Sequence, residues 1–292
     1  MMKVNTFNIK YFLLYMVQFK KVAFLTTIFP VDNQYINIFF DSLLNQTNKE
    51  FDIVVVNDNY LNFDKIKTRF NNLNIIELKG SSSIAKNREK GLRYIKKNNY
   101  DVVIFGDIDD YFKFNRINKS LELLETADVV VNDIDLFNRD GIICTNYFSS
   151  RLDNLSMINI ECIMEKNLFG LTNTAINVSI LSDFKFYDNI IAVDWYLFSI
   201  LLLNGARAVF TNETSTCYRQ HGENVIGMNN ATTSKKIKNI INIKKIHYQF
   251  MSKIDPIYIP FLNKYNNLAK KVEKVDMEST CVHEHLLWWE EV

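Results

Sequence analysis

Short apolar runs alternate along the first half of the chain with segments whose apolar positions recur every three or four residues. The runs are typical of buried strands, and they span residues 22–29, 51–56, 74–78 and 102–105. The segments at 36–44 and 84–95 predict amphipathic helices. Strands that alternate with helices imply a mostly parallel sheet with helices on both faces, and the pattern therefore predicts an α/β fold.

The second half continues with longer elements. Strands are predicted at 128–137 and 208–218, with a polar-capped segment at 171–176 between them. An apolar helix is predicted to begin at Asp194 and to end at Asn204-Gly205, which is a common C-terminal signal.

Polar side chains follow two of the predicted strands at the point where each strand ends. Asp58 follows the second strand, and Asp107, Asp109 and Asp110 follow the fourth. In open α/β sheets, ligands bind outside the carboxyl ends of the strands. We therefore expect these carboxylates to lie close together at one binding site.

The acidic turn after the fourth strand has two interpretations. In an extended backbone Asp107 and Asp109 share a face, where their charges repel unless a cation compensates them. Mn²⁺ or Mg²⁺ prefers such oxygen ligands. Alternatively, Asp109 or Asp110 caps a helix that starts near Asn115. The residues alone leave both interpretations open.

Composition narrows the class of protein. The 292 residues suffice for one large domain with appendages, predicted as an N-terminal extension (1–20), an α/β domain (21–230) and a C-terminal helical extension and tail (231–292). The net charge of +1 gives no general attraction to nucleic acid, which is not an expected partner. Four widely spaced cysteines indicate neither a zinc site nor a disulfide framework, which favours the cytoplasm. The apolar run at 11–17 is too short to span a bilayer.

Six segments, in this order, resemble the motifs of family 2 glycosyltransferases of the GT-A fold. They are Ser-Leu-Leu-Asn-Gln-Thr (42–47), Val-Val-Val-Asn-Asp (54–58), Ile-Ala-Lys-Asn-Arg-Glu-Lys-Gly-Leu (84–92), Asp-Ile-Asp-Asp (107–110), Val-Asp-Trp (193–195) and Tyr-Arg-Gln-His-Gly-Glu-Asn (218–224). The resemblance extends over about residues 21–227 and implies a Rossmann-like sheet flanked by helices. Two departures occur: Lys86 stands where an arginine is usual, and one extra residue separates Asn87 from Gly91.

The resemblance implies an inverting transferase that moves a sugar from a UDP- or dTDP-sugar to an acceptor hydroxyl. It assigns the nucleotide and diphosphate to Asp58, Lys86, Asp107, Arg219 and His221. It assigns Mn²⁺ or Mg²⁺ to Asp109 and His221, the general base to Asp194, and the acceptor side to Asn173, Thr174 and Trp195. A structural alternative accompanies each polar role: Asp58 as a turn residue, Lys86 as a solvated helix charge, and Asp194 as an N-cap.

The C-terminal region has a different character. Lysines interleave with isoleucines over 235–246 and predict a basic amphipathic helix that ends near Lys253. It packs on the main domain or rests on an anionic membrane, where lipid-linked saccharide acceptors occur. The tail at 281–289 contains Cys281, His283 and His285 without the spacing of a metal site, and we expect it to pack on this subunit or on a second one in a homodimer.

The expected function is glycosyl transfer in bacterial surface polysaccharide or glycan assembly, in the cytoplasm or at the inner face of the membrane. A metal-dependent nucleotidyltransferase is the first alternative, although it would want a Gly-rich loop after the first strand, and residues 26–30 contain no glycine. A phosphatase with Asp107 as nucleophile and a degenerate homologue that only binds nucleotide are the others.

Overall fold

The structure is a computed structural model that describes residues 19, 21–81, 83–220, 234–274 and 287. Over these residues the strands are β1 (Val22–Ile28), β2 (Asp52–Asn57), β3 (Ile75–Lys79), β4 (Val102–Phe105), β5 (Tyr111–Phe112), β6 (Val129–Asn138), β7 (Gly141–Cys144), β8 (Met157–Ile158), β9 (Thr174–Asn177) and β10 (Ala208–Arg219). The helices are α1 (Asn33–Leu44), α2 (Phe63–Arg69), α3 (Ile84–Lys97), α4 (Arg116–Leu124), α5 (Ile160–Ile163), α6 (Val193–Leu203), α7 (Ser234–Ile254) and α8 (Ile259–Lys274).

One sheet carries all of these strands. Its main path is β3-β2-β1-β4-β9-β6-β10-β5, and β7 and β8 pair with β6 and β10. β3, β2, β1 and β4 are mutually parallel, and β9 runs antiparallel between β4 and β6. The carboxyl ends of β2, β4, β6 and β10 therefore share one edge of the sheet. The predicted, mostly parallel α/β fold is confirmed.

The first strand shows why the apolar runs read as buried strands. All seven residues of β1 are buried, and alternate residues face opposite sides. Ala23 and Leu25 belong to a core that includes residues of α3, whereas Val22 and Phe24 belong to a second core that includes residues of α1. Helices cover both faces of the sheet at β1, so no side chain of this strand faces solvent.

Helix α3 is placed closely on the sheet. Ser83 caps it by accepting a hydrogen bond from the backbone N–H of Lys86 (3.3 Å). A Cβ at Gly91 would lie 2.5 Å from a methyl group of Leu25, so glycine lets the helix approach β1 this closely without displacing that side chain. The approach brings the polar face of α3 to the carboxyl ends of β2 and β4.

The two C-terminal helices pack on the domain, which was the first of the two interpretations. The apolar stripe of α7 is buried at Ile240, Ile241 and Ile243, and Lys244 is buried with them. Burial lowers the pKa of Lys244 to about 8. Among the described residues, no helix is both long and apolar enough to cross a membrane. The predictions for residues 1–18 and for the tail, apart from Leu287, lie outside the described residues.

Candidate active site

The end of β2 is joined to the start of α3 through Asn87. The Asn87 side chain donates to the Asp58 carboxylate (2.9 Å) and to the Ser81 carbonyl (2.7 Å), and its own carbonyl accepts from the Ser81 N–H (2.7 Å). Gly80 lies so close to Asn57 that a Cβ there would meet a backbone oxygen at 2.7 Å. Asp58 is thus fixed at the carboxyl edge, partly exposed, with capacity to accept a further hydrogen bond.

The acidic turn after β4 is tied to α3 through Arg88. Its guanidinium forms an ion pair with the Asp107 carboxylate, and the two side chains are 13% and 29% exposed. Burial raises the pKa of Asp107; Arg88 opposes the rise and the neighbouring charge of Asp109 adds to it. The arginine therefore stabilises the charged form of a carboxylate that its surroundings would otherwise protonate.

Asp110 lies behind the turn and is fully buried. It accepts hydrogen bonds from the Thr172 hydroxyl and from the backbone N–H of Arg219 (2.7 Å). Burial, followed by the charges of Asp109 and Asp107, raises its pKa well above the ordinary value. Buried Arg116 lies nearby, and its own burial lowers its pKa to about 9, with both Asp110 and Asp107 opposing. Asp110 is thus buried and bonded to protein groups. This position fits neither a helix cap at the surface nor a ligand exposed to solvent.

Arg219, at the end of β10, braces the same turn. Its Nε donates to the Asp109 carbonyl (2.7 Å), and its guanidinium lies over the rings of Tyr35 (4.0 Å) and Phe137 (4.5 Å). The side chain is 93% buried, since its exposed fraction is 7%. The residue predicted to contact phosphate is therefore also part of the scaffold that shapes the acidic turn.

The donor set at the turn suits a hard divalent cation. Three carboxylates lie within four residues, and the pKa values of Asp107 and Asp110 are raised in part by the charges of neighbouring carboxylates, so added positive charge is favourable. Asp109 is the carboxylate of the turn to which the resemblance assigns the metal. No group of three His, Cys, Asp or Glu side chains forms a metal cage within the described ranges, and His221 lies outside them. Mg²⁺ is commonly bound by one or two carboxylates together with substrate phosphates, and the turn fits that arrangement.

Asp194 stands in the first turn of α6. One carboxylate oxygen accepts from the Asn167 amide (3.0 Å) and the other from the backbone N–H of Trp195 (2.8 Å). Burial raises the pKa of Asp194 to about 6; these two hydrogen bonds oppose the rise, the charge of Asp107 adds to it, and Arg88 opposes it. The fold thus brings the pKa of this carboxyl towards neutral pH, the range that suits a general base.

The remaining predicted site residues that the structure describes contact other protein groups. Lys86 donates to the Phe186 carbonyl (2.7 Å) and pairs with Glu89 (3.1 Å). Asn173 and Thr174 are buried, and Asn173 donates to the Asn132 carbonyl (3.0 Å). Trp195 is fully buried, with its ring stacked on His247 at 3.8 Å. The structure thus brings Asp194 within electrostatic reach of Asp107 and places Asp58 at the same carboxyl edge of the sheet, whereas Lys86, Asn173, Thr174 and Trp195 contact other protein groups.

Three polar residues of this site did not stand out in the sequence: Arg88, Asn87 and Asn167. Arg88 and Asn87 lie in the segment whose motif departs by one residue, and that departure was the available signal. Arg88, two residues after Lys86, is the cation of α3 that contacts the acidic turn. For Asn167 no sequence signal exists, because its partner is 27 residues away.

Comparisons with known proteins agree with this geometry. Residues 27–170 match the family model "Glycosyl transferase family 2". The solved structure of S. aureus TarS residues 1-349 has a TM-score of 0.58, and its complex with UDP-GlcNAc has a TM-score of 0.62. Both are 17% identical in sequence and align with 85% of this chain and with 71% and 72% of those chains. No curated protein sequence is similar enough to be matched with this chain.

The sheet order and the flanking helices define the GT-A fold, to which the TarS structures are similar. The predicted resemblance to family 2 glycosyltransferases is confirmed by the family model that matches residues 27–170. That match includes Asp58 and the acidic turn but ends before Asp194, so the position of Asp194 near the turn depends on the structure alone.

Proposed function

We propose that this protein transfers a sugar, with inversion at the anomeric carbon, from a UDP- or dTDP-sugar to a hydroxyl of a saccharide or lipid-linked saccharide. The observation that carries the proposal is the electrostatic proximity of Asp194 to Asp107 and Arg88. A carboxylate with a near-neutral pKa thereby stands beside the acidic turn. The likeness of the fold to TarS, a protein solved in complex with UDP-GlcNAc, supports a uridine-linked donor.

Asp58 is proposed to recognise the base. Its carboxylate is held at the end of β2 by Asn87 and can accept a hydrogen bond from the imide N–H of uracil or thymine. Cytosine has no donor at that ring position, so a carboxylate acceptor selects against it. The nucleotide would then extend along the carboxyl edge towards Asp107.

The acidic turn is proposed to hold the diphosphate end of the donor, with Asp109 and a Mn²⁺ or Mg²⁺. A bound divalent cation would supply charge to neutralise the diphosphate as it leaves. His221 is proposed as a further ligand or diphosphate contact. The contribution of the described residues is to keep the turn rigid, since Arg88, Arg116 and Arg219 hold it from three directions.

Asp194 is proposed as the general base. Inversion in one displacement requires the acceptor hydroxyl to attack the anomeric carbon from the face opposite the diphosphate. The hydroxyl is a poor nucleophile at neutral pH, and its proton must leave as the new bond forms. The Asp194 carboxylate accepts that proton, and its pKa of about 6 keeps it mostly ionised at pH 7 while making it a stronger base than an ordinary aspartate.

A donor-hydrolysis and transfer assay over a panel of nucleotide sugars, with and without Mn²⁺, tests the proposal. We expect activity with uridine or thymidine donors and a marked gain with metal. Asp109→Asn should abolish the metal-dependent gain in diphosphate affinity, measured by calorimetry, while thermal stability stays unchanged. An unchanged metal dependence would remove Asp109 as a ligand. Nucleotide binding without any turnover would favour the degenerate homologue, and nucleotidyl transfer would favour the nucleotidyltransferase.

We also propose cytoplasmic action at the membrane surface, in surface polysaccharide or glycan assembly, with contact through the corner between α7 and α8 rather than through the buried stripe of α7. Ile254, Ile257 and Ile259 are 47%, 43% and 45% exposed there, next to exposed Lys253. Apolar side chains beside lysine suit an anionic lipid surface.

Replacing the three isoleucines by serine should reduce sedimentation with anionic vesicles. Ile142→Ser, at an isoleucine 74% exposed on β7, should leave it unchanged. Equal loss in both variants would contradict the proposal, and a change in oligomeric state would indicate a homodimer instead.

A further inference from the structure

A short loop, residues 163–167, runs beside the first turn of α6 and is held by three different helices. We call it the support loop. Trp195 of α6 donates its indole N–H to the Ile163 carbonyl (2.7 Å), and Tyr248 of α7 donates its hydroxyl to the Met164 carbonyl (2.9 Å). Lys264 of α8 forms an ion pair with Glu165 (2.8 Å). Successive residues of the loop are thus fixed by α6, α7 and α8.

The last residue of the loop contacts the carboxylate at the site. The Asn167 amide donates to Oδ2 of Asp194 (3.0 Å), and Oδ1 of Asp194 accepts from the backbone N–H of Trp195 (2.8 Å). Asn167 is 9% exposed, so its side chain is held by packing. Two donors, one on each oxygen, fix the plane of the carboxylate and leave the remaining lone pairs for an acceptor hydroxyl.

We propose that Asn167 is the positioning residue of Asp194, and that the support loop makes this positioning depend on the two C-terminal helices. The inference rests on the proposed function, in which Asp194 is the general base. It gives the C-terminal helices, which lie beyond the family match at 27–170, an indirect part in the reaction through the support loop. They hold the loop that holds the base.

The pKa of Asp194 depends on the charged and titratable groups around it as well as on Asn167. Asp107 after β4 disfavours the carboxylate form, and Arg88 on α3 favours it. His247 on α7 lies behind Trp195, and burial lowers its pKa to about 3, so it is neutral and adds no charge. The hydrogen bond from Asn167 favours the carboxylate form, and losing that bond should raise the pKa of Asp194.

The test is the pH dependence of kcat at saturating donor and acceptor for Asn167→Leu, which keeps the size of the side chain. We expect the acid limb to move to higher pH by about one unit, the scale of a lost hydrogen bond to a charged group, with donor KM unchanged. Tyr248→Phe removes only the hydroxyl that holds Met164, and it should move the limb in the same direction by a smaller amount. This second variant keeps the test decisive if the leucine variant folds poorly.

Asn177→Leu is the matched control. Asn177 also donates from a partly buried amide, to the Leu124 (3.1 Å) and Ala127 (3.0 Å) carbonyls, and its Oδ1, like that of Asn167, is buried with no hydrogen-bond partner in the described part of the chain. The control should lower the melting temperature without moving the acid limb.

An unshifted limb in Asn167→Leu, or an equal shift in the control, would overturn the inference. If Asp194→Asn stays active, the base assignment fails; if it is inactive and Asn167→Leu is unshifted, only the positioning role fails.

Discussion

At the acidic turn the carboxylates lie against arginines, whereas Asp194 is held by an amide and a backbone N–H. Arg88 pairs with Asp107, and Arg116 lies behind Asp110 and Asp107. Within the part of the chain that the structure describes, Asp194 accepts hydrogen bonds from neutral donors, the Asn167 amide and the backbone N–H of Trp195. Both regions are enclosed by protein, so burial acts on both, and the type of neighbour makes the difference.

The contrast follows from what each region is proposed to do. A turn that holds a diphosphate must keep a constant charge, and a guanidinium, which does not titrate near neutral pH, maintains it. A base must exchange a proton, and neutral donors leave its pKa near 6, within the range in which it can do so. The site therefore combines a turn whose charge is fixed by arginines with an aspartate whose pKa is close to neutral pH.

Asp194→Asn gives the largest expected effect and tests the base side. The substitution keeps size and capping ability but removes basicity, so kcat should fall by the typical 10²–10⁴-fold for loss of a general base. Donor affinity, measured by calorimetry, should stay near that of the wild type. Asp188→Asn, at an exposed aspartate on the loop before α6 that accepts from Ser83, is the control and should keep full turnover. The structure has Ala192 at the N-cap of α6, so the N-cap interpretation of Asp194 is wrong; a variant that retains most turnover would leave Asp194 a structural role in the first turn.

Arg88→Met tests the charge pairing of the turn. It leaves the Asp107 carboxylate beside Asp109 without its guanidinium, and we expect a loss of about 2–4 kcal/mol in the free energy of unfolding, towards the lower part of the range for a broken buried pair because both side chains are partly exposed. Adding Asp107→Asn should recover part of that loss.

The control for that experiment lies on the same helix. Arg93 pairs with Glu89 and is 54% exposed, so Arg93→Met should cost no more than about 1 kcal/mol in denaturant unfolding. Equal costs for the two arginines would show that the pairing at the turn is an ordinary surface ion pair, and the contrast between the two regions would disappear.

Asp58→Ala tests whether the nucleotide end of the site recognises its ligand or only shapes a turn. Loss of a charged hydrogen bond should weaken binding of uridine diphosphate by about 1.5–3 kcal/mol, and cytidine diphosphate should lose less. Calorimetry with both nucleotides measures the difference. Asp64→Ala, at a helix position 93% exposed, should change neither affinity. Equal losses for the two nucleotides would assign Asp58 to the turn.

Local pattern predicted the donor half of the molecule well. The apolar runs at 22–29, 51–56 and 102–105 became β1, β2 and β4 within one or two residues, and Ser83 caps the helix predicted at 84–95. These elements are buried on both faces or capped by adjacent residues, so neighbouring sequence positions contain the necessary information. The short elements α2, α5, β5, β7 and β8 were not predicted. Of these, β5 and β8 have two residues each and pair with β10, which is distant along the chain, so their own residues contain little signal.

The sequence by itself determined the alternation of strands and helices and the placing of carboxylates at strand ends. Periodicity and turn chemistry depend on neighbours along the chain, and parallel strands bring their ends to one edge. Only the tertiary structure decided which side chain meets which carboxylate. Arg88 rather than Lys86 pairs with Asp107, because α3 lies on the sheet with Arg88 towards the acidic turn and Lys86 towards the Phe186 carbonyl. The pKa of Asp194 likewise arises from burial and from Asn167, Asp107 and Arg88, which the fold gathers from separate elements. Electrostatic energies depend on distance and burial in space, and spacing along the chain does not contain them.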